Sequence, residues 1–468
     1  MKILLINPTD AAVYGKMESP EHPHMGLAYI AAVLELEGHV VSILDMHAEN
    51  VATEGLSGLF KEKKIDFVGI TATTPIIHIA LVIAEKIKSI CSAKIVLGGV
   101  HPTLMPKECL SNEAVDYVVK GEGEYTIVEL VKHVEDNTVP ENVRGLLFKD
   151  ANGDIIENED RCAISDLDAL PVPARHLIKN QKYTYPDALF SPAFPIITSR
   201  GCPGKCTFCS AAFLHGRKFR FRSAESVVDE IEMLIKDYGA KEIHVWDDNF
   251  VTNKKRVFAI RDEFKKRQLN ITLSFPNGVR VDSINEDILS ALKDMGTYSL
   301  GFGVESGSQE ILDKVQKNIT FEKIEKAFAL AKKFKFEIWA FFLLGLPGET
   351  PATIQQTIDY AIKLDPDVAK FHLLKPYPKT AVYEELMEKN LILDNDYRHY
   401  GIHTAPVHRL VDLSAEELLE WQKRAYRKFY FRPSKIIKQI LRIKSFNRFK
   451  LNFSPALALL KQIFSKGK

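Results

Sequence analysis

The sequence predicts an α/β protein built from two consecutive parallel-sheet domains and a helical C-terminal region. Short apolar strands alternate with amphipathic helices over the first ~140 residues, as in an open, Rossmann-like sheet. The same alternation recurs six times between Phe194 and about Tyr377, as in a partial (β/α)6 barrel. Glycine, threonine and acidic residues follow many of these strands, at the sheet edge where α/β proteins bind ligands.

We expect four segments along the 468 residues. The Rossmann-like domain covers residues 1–138 and the barrel covers residues 191–382. Prolines spread through residues 139–190 predict a linker that wraps between the two domains. Residues 383–468 form the helical C-terminal region, which ends in a basic amphipathic tail.

The first domain is predicted to contain five strands and two helices. Each strand is a short apolar run, and each helix carries apolar residues on one face. The strands are Ile3–Ile6, Val40–Leu44, Phe67–Thr71, Lys94–Leu97 and Tyr117–Lys120. The helices are Gly26–Glu37 and Ile76–Ile90.

The barrel is predicted to contain six strand–helix units, with functional side chains at the carboxyl ends of the strands. The strands are Pro195–Ser199, Glu242–Trp246, Thr272–Phe275, Ser299–Val304, Glu337–Leu344 and Lys370–Leu374. The helices are Ala224–Tyr238, Lys254–Arg267, Glu286–Asp294, Gln309–Val315, Phe321–Lys333 and Pro351–Lys363.

The composition is that of an ordinary globular protein, with 46% hydrophobic and 26% charged residues. The net charge of +1 argues against a nucleic acid partner. No apolar run reaches the ~20 residues of a membrane-spanning helix, and Met1–Asn7 predicts a short strand rather than a secretory signal. We therefore expect a cytoplasmic protein that does not bind nucleic acid.

The C-terminal tail departs from this even charge balance. From Arg432 to Lys468 the chain has ten basic residues and no acidic ones, interleaved with isoleucine, leucine and phenylalanine. Such a tail is typical of a segment that lies on an anionic membrane surface, and the protein is then membrane-associated. The alternative is a solvated helix that packs its apolar side on the barrel.

Three cysteines stand in a C-x3-C-x2-C motif at Cys202, Cys206 and Cys209. Thiolates bind iron–sulfur clusters, and a four-iron cluster normally takes four of them, so three leave one iron open. Zinc is the alternative, but structural zinc takes four ligands in paired short spacings, and no second C-x2-C or H-x3-5-H occurs here. The other cysteines are scattered without cluster spacing and are predicted to be small buried side chains: Cys91, Cys109 and Cys162.

With Phe208 just before its last cysteine, the motif resembles that of the radical S-adenosylmethionine (SAM) superfamily. The segment Phe194–Ser210 is similar to the first strand and loop of that family's partial barrel. The resemblance implies a 4Fe-4S cluster on the three cysteines, with SAM chelated by the open iron. In that family an external electron donor, such as flavodoxin or ferredoxin, supplies the electron that splits SAM and yields a 5′-deoxyadenosyl radical.

The first domain resembles the cobalamin-binding domain fused to one branch of these enzymes. The resemblance rests on His22-Pro-His-Met-Gly-Leu27, Gly98-Gly-Val-His-Pro-Thr103 and Gly121-Glu-Gly-Glu124. It implies cobalamin contacts from threonines and glycines at the carboxyl ends of the strands and from one histidine. These are Thr71, Thr73, Gly98, Gly99, His101, Gly121 and Gly123.

We expect no histidine–cobalt bond. His47 stands in a stretch similar to the cobalt-ligating signature of other cobalamin proteins, but it follows the second strand rather than the first, and the stretch ends at Asn50 instead of glycine. His22 and His24 do lie in the loop after the first strand, yet many relatives leave cobalt without a protein ligand.

The resemblance also places SAM contacts at the ends of the barrel strands. Asp247 and Asp248 correspond to groups that hold the ammonium of SAM. Arg280 corresponds to a contact of the SAM carboxylate, with a structural ion pair as the alternative, and Glu305 and Ser306 correspond to ribose and methionine contacts. Two further loops follow the last strands, Gly345–Glu349 beside adenine and Leu374–Thr380, where Pro378-Lys379-Thr380 departs from the Pro-Gly-Thr of relatives.

The function implied is methylation of an unactivated carbon in a small or lipid-like substrate. Two SAM molecules are used per turnover in such enzymes, one as methyl source and one as radical source. The same layout resembles non-methylating oxidative cyclases and enzymes that rearrange rings or form carbon–carbon bonds. A cobalamin-binding sensor or carrier is an alternative of another class, and a transfer-RNA-modifying enzyme is a weaker one. We expect the substrate cavity between the first sheet and the barrel mouth, with the segment after Thr380 in its wall.

Overall fold

The structure is a computed structural model that describes residues 1–8, 22–62, 64–185 and 187–442. The predicted basic tail beyond Arg442 lies outside the described residues. None of the described helices has the length and apolar character needed to span a bilayer.

The N-terminal domain is a seven-stranded sheet with the order β2-β1-β3-β4-β5-β6-β7. Strands β1 to β5 are parallel, whereas β6 and β7 add antiparallel. The strands are β1 Lys2–Asn7, β2 Val40–Asp45, β3 Phe67–Thr71, β4 Lys94–Gly98, β5 Tyr117–Val119, β6 Leu146–Lys149 and β7 Ile155–Glu157.

Helices cover both faces of this sheet, as the apolar sequence of its central strand requires. All five residues of β3 are buried, which is typical of a parallel strand covered on both sides. The helices are α1 Met25–Leu36, α2 Leu56–Glu62, α3 Ile77–Lys88, α4 Val100–Leu104, α5 Pro106–Ser111 and α6 Glu124–Glu135. The five predicted strands and two predicted helices of this domain are confirmed.

The predicted linker, 139–190, is not irregular throughout. Its first part forms the hairpin β6–β7, which extends the first sheet, because apolar Leu146, Leu147 and Phe148 bury themselves against that sheet. Its second part crosses to the barrel, where Arg175 inserts its buried guanidinium beside Glu230. The sheet therefore reaches past the predicted boundary at 138.

The second domain is a six-stranded, all-parallel sheet in which spatial order follows chain order. Its end strands, β8 and β15, do not pair with each other within the described residues, so the sheet stays open. The strands are β8 Ala193–Ile196, β11 Glu242–Val245, β12 Thr272–Val279, β13 Thr297–Glu305, β14 Glu337–Leu344 and β15 Val368–Leu373. A short antiparallel ribbon, β9 Ser199–Arg200 with β10 Arg220–Phe221, stands at its edge.

Helices alternate with these strands, which confirms the predicted (β/α)6 pattern. All of them except the short, unburied α7 contribute apolar side chains to one large core shared with the sheet. The helices of this domain are α7 Ala211–His215, α8 Ala224–Tyr238, α9 Lys254–Lys266, α10 Glu286–Asp294, α11 Gln309–Lys314, α12 Phe321–Lys333 and α13 Pro351–Leu364.

The C-terminal region contains helices α14 Ala381–Glu388, α15 Ala415–Tyr430 and α16 Pro433–Arg442. Helix α15 covers the outer edge of β15. The hydroxyls of Tyr426 and Tyr430 accept from the N–H groups of Phe371 and Ala369, at 3.1 Å each, and Nε2 of Gln422 donates to the carbonyl of Phe371 at 2.7 Å. The unpaired strand edge is thus satisfied by side chains instead of by another strand.

Candidate active site

The three cysteines of the C-x3-C-x2-C motif lie on one loop, between β9 and α7. Thr207 holds the centre of this loop, since its N–H donates to the carbonyl of Val315 (3.0 Å) and its carbonyl accepts from the N–H of Val382 (3.2 Å). Phe208 packs its ring into an apolar cluster that includes Leu346. The loop is therefore fixed to the end of α11, to α14 and, through Phe208, to the segment that follows β14.

Gly204 leaves open the space between two of the thiols. A Cβ atom added at Gly204 would lie 3.4 Å from Sγ of Cys202, 3.8 Å from Sγ of Cys206 and 3.3 Å from Nη1 of Arg280. All three cysteines are free thiols, and Cys209 is exposed. A larger residue at position 204 would fill this space, so glycine keeps it available to a ligand of the thiols.

The donor set fits an iron–sulfur cluster better than a single metal ion. A tetrahedral zinc site needs side chains that converge on one ion. Over the described ranges, no three Cys, His, Asp or Glu side chains are close enough together to do so. A four-iron cluster takes one thiolate per iron, so its ligands stand further apart. Three thiols on one loop therefore fit three irons and leave the fourth without a protein ligand.

Charged side chains border the thiols. Burial raises the pKa of the Cys206 and Cys209 thiols, and positive charge on Lys317 and Arg280 opposes that effect at Cys206. Binding of iron displaces the thiol proton. With iron bound, the two cations would stabilise the negative charge on the sulfur of Cys206.

The two aspartates after β11 have different partners. Asp247 is buried and accepts from the N–H and Oγ1 of Thr198 (2.6 and 2.5 Å) and from Oγ of Ser199 (2.5 Å). Asp248 accepts from the N–H of Gly201 at 3.1 Å, and burial raises its pKa. Both are sequence-predicted contacts of the SAM ammonium, but Asp247 is committed to the turn between β8 and β9, whereas Asp248 faces the cysteine loop with acceptor capacity left.

The predicted SAM contact Arg280 forms a structural ion pair. Its Nε and Nη2 donate to the two oxygens of Asp282 at 3.1 and 2.8 Å, and Nη2 also donates to the carbonyl of Lys317 at 3.2 Å. Its Nη1 faces Gly204 and the thiols. Arg280 thus forms the structural ion pair that the sequence left open as its alternative role, and its remaining nitrogen is directed at the cysteine loop.

The predicted contacts Glu305 and Ser306, at the end of β13, differ in orientation. Glu305 has a φ of +66° and accepts from Nζ of Lys317 at 2.6 Å, close to Cys206. Ser306 is buried, and its Oγ lies 3.2 Å from Oγ1 of Thr357 on α13. Glu305 thus belongs to the charged border of the thiols, while the hydroxyl of Ser306 ties the loop to the helix behind it.

The Gly345–Glu349 loop is held by hydrogen bonds to two buried side chains, one within the loop and one from the segment between α14 and α15. Oε2 of buried Glu349 accepts from the N–H of Gly345 (2.7 Å) and of Leu346 (3.0 Å), while Nε2 of buried His408 donates to the carbonyl of Gly345 at 2.8 Å. His408 is not identifiable from the sequence as a partner of this loop, because nothing in the local pattern links it to a carbonyl 63 residues away.

Changing Glu349 to Gln is expected to alter the pH dependence of stability. Burial raises the pKa of Glu349 to about 8 from its ordinary value of 4.5. Folding therefore favours the neutral acid, so the stabilisation is complete below about pH 4 and is lost as pH rises through about 8. The amide mimics the neutral acid, so E349Q should gain roughly 1 kcal/mol per pH unit over wild type between pH 5 and 8, measured by urea unfolding.

The exposed Glu384 provides the control, since E384Q should follow the wild-type pH profile. Parallel profiles for wild type and E349Q would mean that Glu349 ionises as readily when folded as when unfolded.

The carboxyl edge of the first sheet carries the predicted cobalamin contacts Thr71, Thr73 and Gly99. Nδ1 of His24 accepts from the N–H of Leu27 (3.2 Å), so its Nε2 carries the proton and donates to Oγ1 of Thr71 (3.3 Å). Gly99 has a φ of +99°, and an added Cβ would lie 2.7 Å from Oγ1 of Thr71. Oγ1 of Thr73 is buried without a hydrogen-bond partner among the described residues, so it is free for a ligand.

Gly98, Gly121, Gly123 and His101 complete the predicted cobalamin set. Gly98 and Gly121 have open space where a Cβ would stand, so a flat ligand can approach the backbone there. At Gly123 an added Cβ would meet Val119 at 3.3 Å. His101 is fully buried, and its Nδ1 lies 3.3 Å from Oγ1 of Thr74, so it supports the loop from behind.

A cavity of about 590 Å³ separates the two domains beside Gly121. Thr103 and Gly121 line it from the first domain, Arg161 lines it from the predicted linker, and Phe213 and Lys379 line it from the second domain. Phe213 lies on α7, the helix that follows the cysteine loop, four residues after Cys209.

The segment between α14 and α15, residues 389–414, is named the strap here. Buried Lys375, after β15, donates from Nζ to the carbonyls of His399 (3.2 Å) and Ala405 (2.5 Å) in the strap. Tyr397 of the strap packs on the first domain, with its ring 4.9 Å from that of His101. The strap thus joins the barrel to the first domain.

Two family models match the chain. A model described as "Radical SAM superfamily" matches residues 196–361, from the end of β8 into α13. A model described as "B12 binding domain" matches residues 13–131, which cover most of the first domain.

Curated relatives match over most of the chain. An uncharacterized methyltransferase of Pyrococcus horikoshii is 36% identical over 445 residues, covering 94% of this chain and 95% of the relative. The cytidylyl-2-hydroxyethylphosphonate methyltransferase of Streptomyces wedmorensis is 27% identical, covering 84% and 82%. The anaerobic magnesium-protoporphyrin IX monomethyl ester cyclase of Cereibacter sphaeroides is 29% identical, covering 93% and 71%.

Solved structures share the two-domain fold. The cobalamin-dependent SAM radical enzyme OxsB superposes with a TM-score of 0.77 at 17% identity, covering 99% of this chain and 72% of its own. The radical SAM methyltransferase TsrM from Kitasatospora setae gives a TM-score of 0.69 at 22% identity, covering 86% and 76%.

Proposed function

The chain belongs to the cobalamin-dependent radical SAM enzymes, and from that premise we propose that it methylates an unactivated carbon of a small or lipid-like substrate. Its family uses a 4Fe-4S cluster, SAM and cobalamin. When bound, these groups supply a carbon-centred radical and a transferable methyl group. Cys202, Cys206 and Cys209 hold the cluster in this proposal, and the glycine edge of the first sheet holds cobalamin.

Among the predicted SAM contacts, we assign the ammonium to Asp248. Its carboxylate lies beside the cysteine loop and accepts one hydrogen bond from the residues that the structure describes, the N–H of Gly201, so an ammonium can form a charge-assisted bond there. That positive charge offsets the burial that raises the pKa of Asp248. Asp247 acts through Thr198 and Ser199, keeping the strand before the cysteine loop in place.

The observation that carries this proposal is the cavity shared by the two domains. It connects the open backbone at Gly121 with Phe213, four residues after Cys209. Gly121 is a predicted cobalamin contact and Phe213 lies on the helix that follows the cysteine loop, so we assign the substrate to this space between the two proposed cofactor regions.

A second candidate is radical oxidative cyclisation without methyl transfer. The 29% identical relative from Cereibacter sphaeroides is named as such a cyclase, and it matches 93% of this chain. The two methyltransferase relatives favour methylation. The sensor or carrier alternative has no support from these relatives, which are named as enzymes.

The proposal includes two partners. An external electron carrier, such as a flavodoxin or ferredoxin, delivers one electron for each SAM that is reductively cleaved. Peripheral membrane contact through the C-terminal region is supported by the exposed apolar side chains of Ile436 and Ile437 on α16. The free thiols fit a reducing cytoplasm.

Anaerobically reconstituted protein with SAM carrying a deuterated methyl group is expected to convert a component of a host-cell extract into a product that bears the CD3 group. One S-adenosylhomocysteine and one 5′-deoxyadenosine should form per product, quantified by mass spectrometry. Deoxyadenosine without S-adenosylhomocysteine would support the cyclase candidate. Absence of both products, with iron and cobalamin bound, would refute radical chemistry at this site.

A further inference from the structure

Four buried charged side chains join the two domains directly behind the cysteine loop. Glu122 and Glu124 follow β5 in the first domain, in the Gly121–Glu124 motif, and Arg200 and Arg220 belong to the β9–β10 ribbon. All four side chains are buried. This set is called the interdomain clamp.

The contacts within the clamp are direct. Nη1 and Nη2 of Arg220 each donate to one oxygen of Glu122 at 2.8 Å, in a forked pair. Nη2 of Arg200 donates to Oε1 of Glu124 at 2.6 Å, and its Nη1 lies 3.4 Å from Oε1 of Glu122. Each arginine therefore has a carboxylate from the other domain.

The ribbon is the base of the cysteine loop. Arg200 and Arg220 are partners in its antiparallel register, and residues 201–219 between them contain all three cysteines and α7. Two like charges directly opposite each other destabilise a strand pair. Without the two glutamates, the ribbon would bring two buried positive charges together at the base of the loop.

The clamp also reaches the far end of the loop. Arg220 donates to the carbonyl of His215 at 2.7 Å, and Nδ1 of His215 lies 3.3 Å from Oε1 of Glu122. His215 ends α7, six residues after Cys209. Glu122 is thus connected to both ends of the segment that carries the thiols.

We propose that Glu122 and Glu124 are positioning residues that set the cysteine loop against the cobalamin-binding domain, acting through Arg220 and Arg200. Docking of the first domain then completes the cluster site, so the loop takes its final position only when both domains are in contact. This inference rests on the proposed function, because it assumes a cluster on the loop and cobalamin in the first domain.

The test uses full-length reconstituted protein as wild type, E122Q, E124Q and R220K, with E159Q as control. Glu159 pairs with Arg144 on the exposed surface of the same domain. Hydrogen exchange of residues 201–219 is measured by mass spectrometry. The magnetic interaction between cob(II)alamin and the reduced cluster is measured by electron paramagnetic resonance.

We expect E122Q and E124Q to bind cobalamin and iron at wild-type stoichiometry, while exchange in residues 201–219 rises at least about tenfold and the magnetic interaction weakens. R220K should show exchange and magnetic interaction between those of wild type and E122Q, because lysine keeps the positive charge but cannot form the forked pair with Glu122. E159Q should match wild type. The magnetic interaction depends on the distance between the two cofactors, so a change at full cofactor loading reports a displacement of the loop, whereas a loss of stability without displacement leaves it unchanged.

Wild-type exchange and wild-type magnetic interaction in E122Q would overturn the inference. If E122Q does not fold, the exchange and magnetic interaction of E124Q decide the question, since this variant leaves the Glu122–Arg220 forked pair intact. A wild-type protein that binds neither cluster nor cobalamin would refute the proposed function instead, and the exchange data alone would then decide whether the clamp orders the loop.

Discussion

Replacing any one of Cys202, Cys206 and Cys209 with alanine is expected to abolish 5′-deoxyadenosine formation from SAM. The three thiols share one loop, and each is assigned one iron, so loss of any of them leaves two protein ligands for the cluster. We expect iron content to fall from about four per chain to below about one, with no deoxyadenosine detected by mass spectrometry after anaerobic reconstitution.

The chain offers a matched control in Cys162, a free cysteine on the predicted linker. The prediction that the scattered cysteines are buried holds for Cys109 but is wrong for Cys162, which is exposed because it lies in a segment without regular secondary structure, and Cys91 is only half-buried. C162A should keep wild-type iron content and wild-type deoxyadenosine formation. Full activity in C206A would contradict the assignment, as would stoichiometric zinc in oxygen-protected wild-type protein.

Changing Glu230 to Gln is expected to lower the free energy of unfolding by about 3–5 kcal/mol, the cost of leaving buried charges unpaired. Glu230 is 1% exposed. Its Oε1 accepts from Nη2 of Arg175 at 2.5 Å, and its Oε2 accepts from Arg222. Both guanidinium groups are buried, so E230Q removes the carboxylate that pairs directly with both of them at the place where the linker meets α8.

Denaturant unfolding of E230Q and E225Q measures this effect. Glu225 lies on the same helix but is exposed, so E225Q should change stability far less. A change in E230Q as small as that in E225Q would show that water or structural relaxation compensates the two arginines.

Helix bounds were predictable where capping residues mark them. Ser223, Asn285 and Thr320 each accept a hydrogen bond from the N–H three residues further along. Such side chains before an apolar-periodic run indicate a helix start in sequence. The predicted and observed bounds agree for these three helices, Ala224–Tyr238, Glu286–Asp294 and Phe321–Lys333.

Side-chain orientation was less predictable than position. The position of a residue after a strand predicts the sheet edge at which it lies. Asp247 and Asp248 do lie at the edge that carries the cysteine loop. That position does not tell that Asp247 turns back to Thr198. The Glu122–Arg220 and Glu349–His408 arrangements depend on residues dozens of positions apart, and local patterns carry no information about such pairs.

The edge of β15 is covered by three side chains of α15, which is synthesised after all the barrel strands. As the chain leaves the ribosome, all six barrel strands have emerged well before Tyr430, and the last strand then exposes a bare row of amide and carbonyl groups. Such an edge recruits strands from neighbouring nascent chains. A chain terminated before residue 415 is therefore expected to accumulate as aggregates, although every strand of its sheet is present.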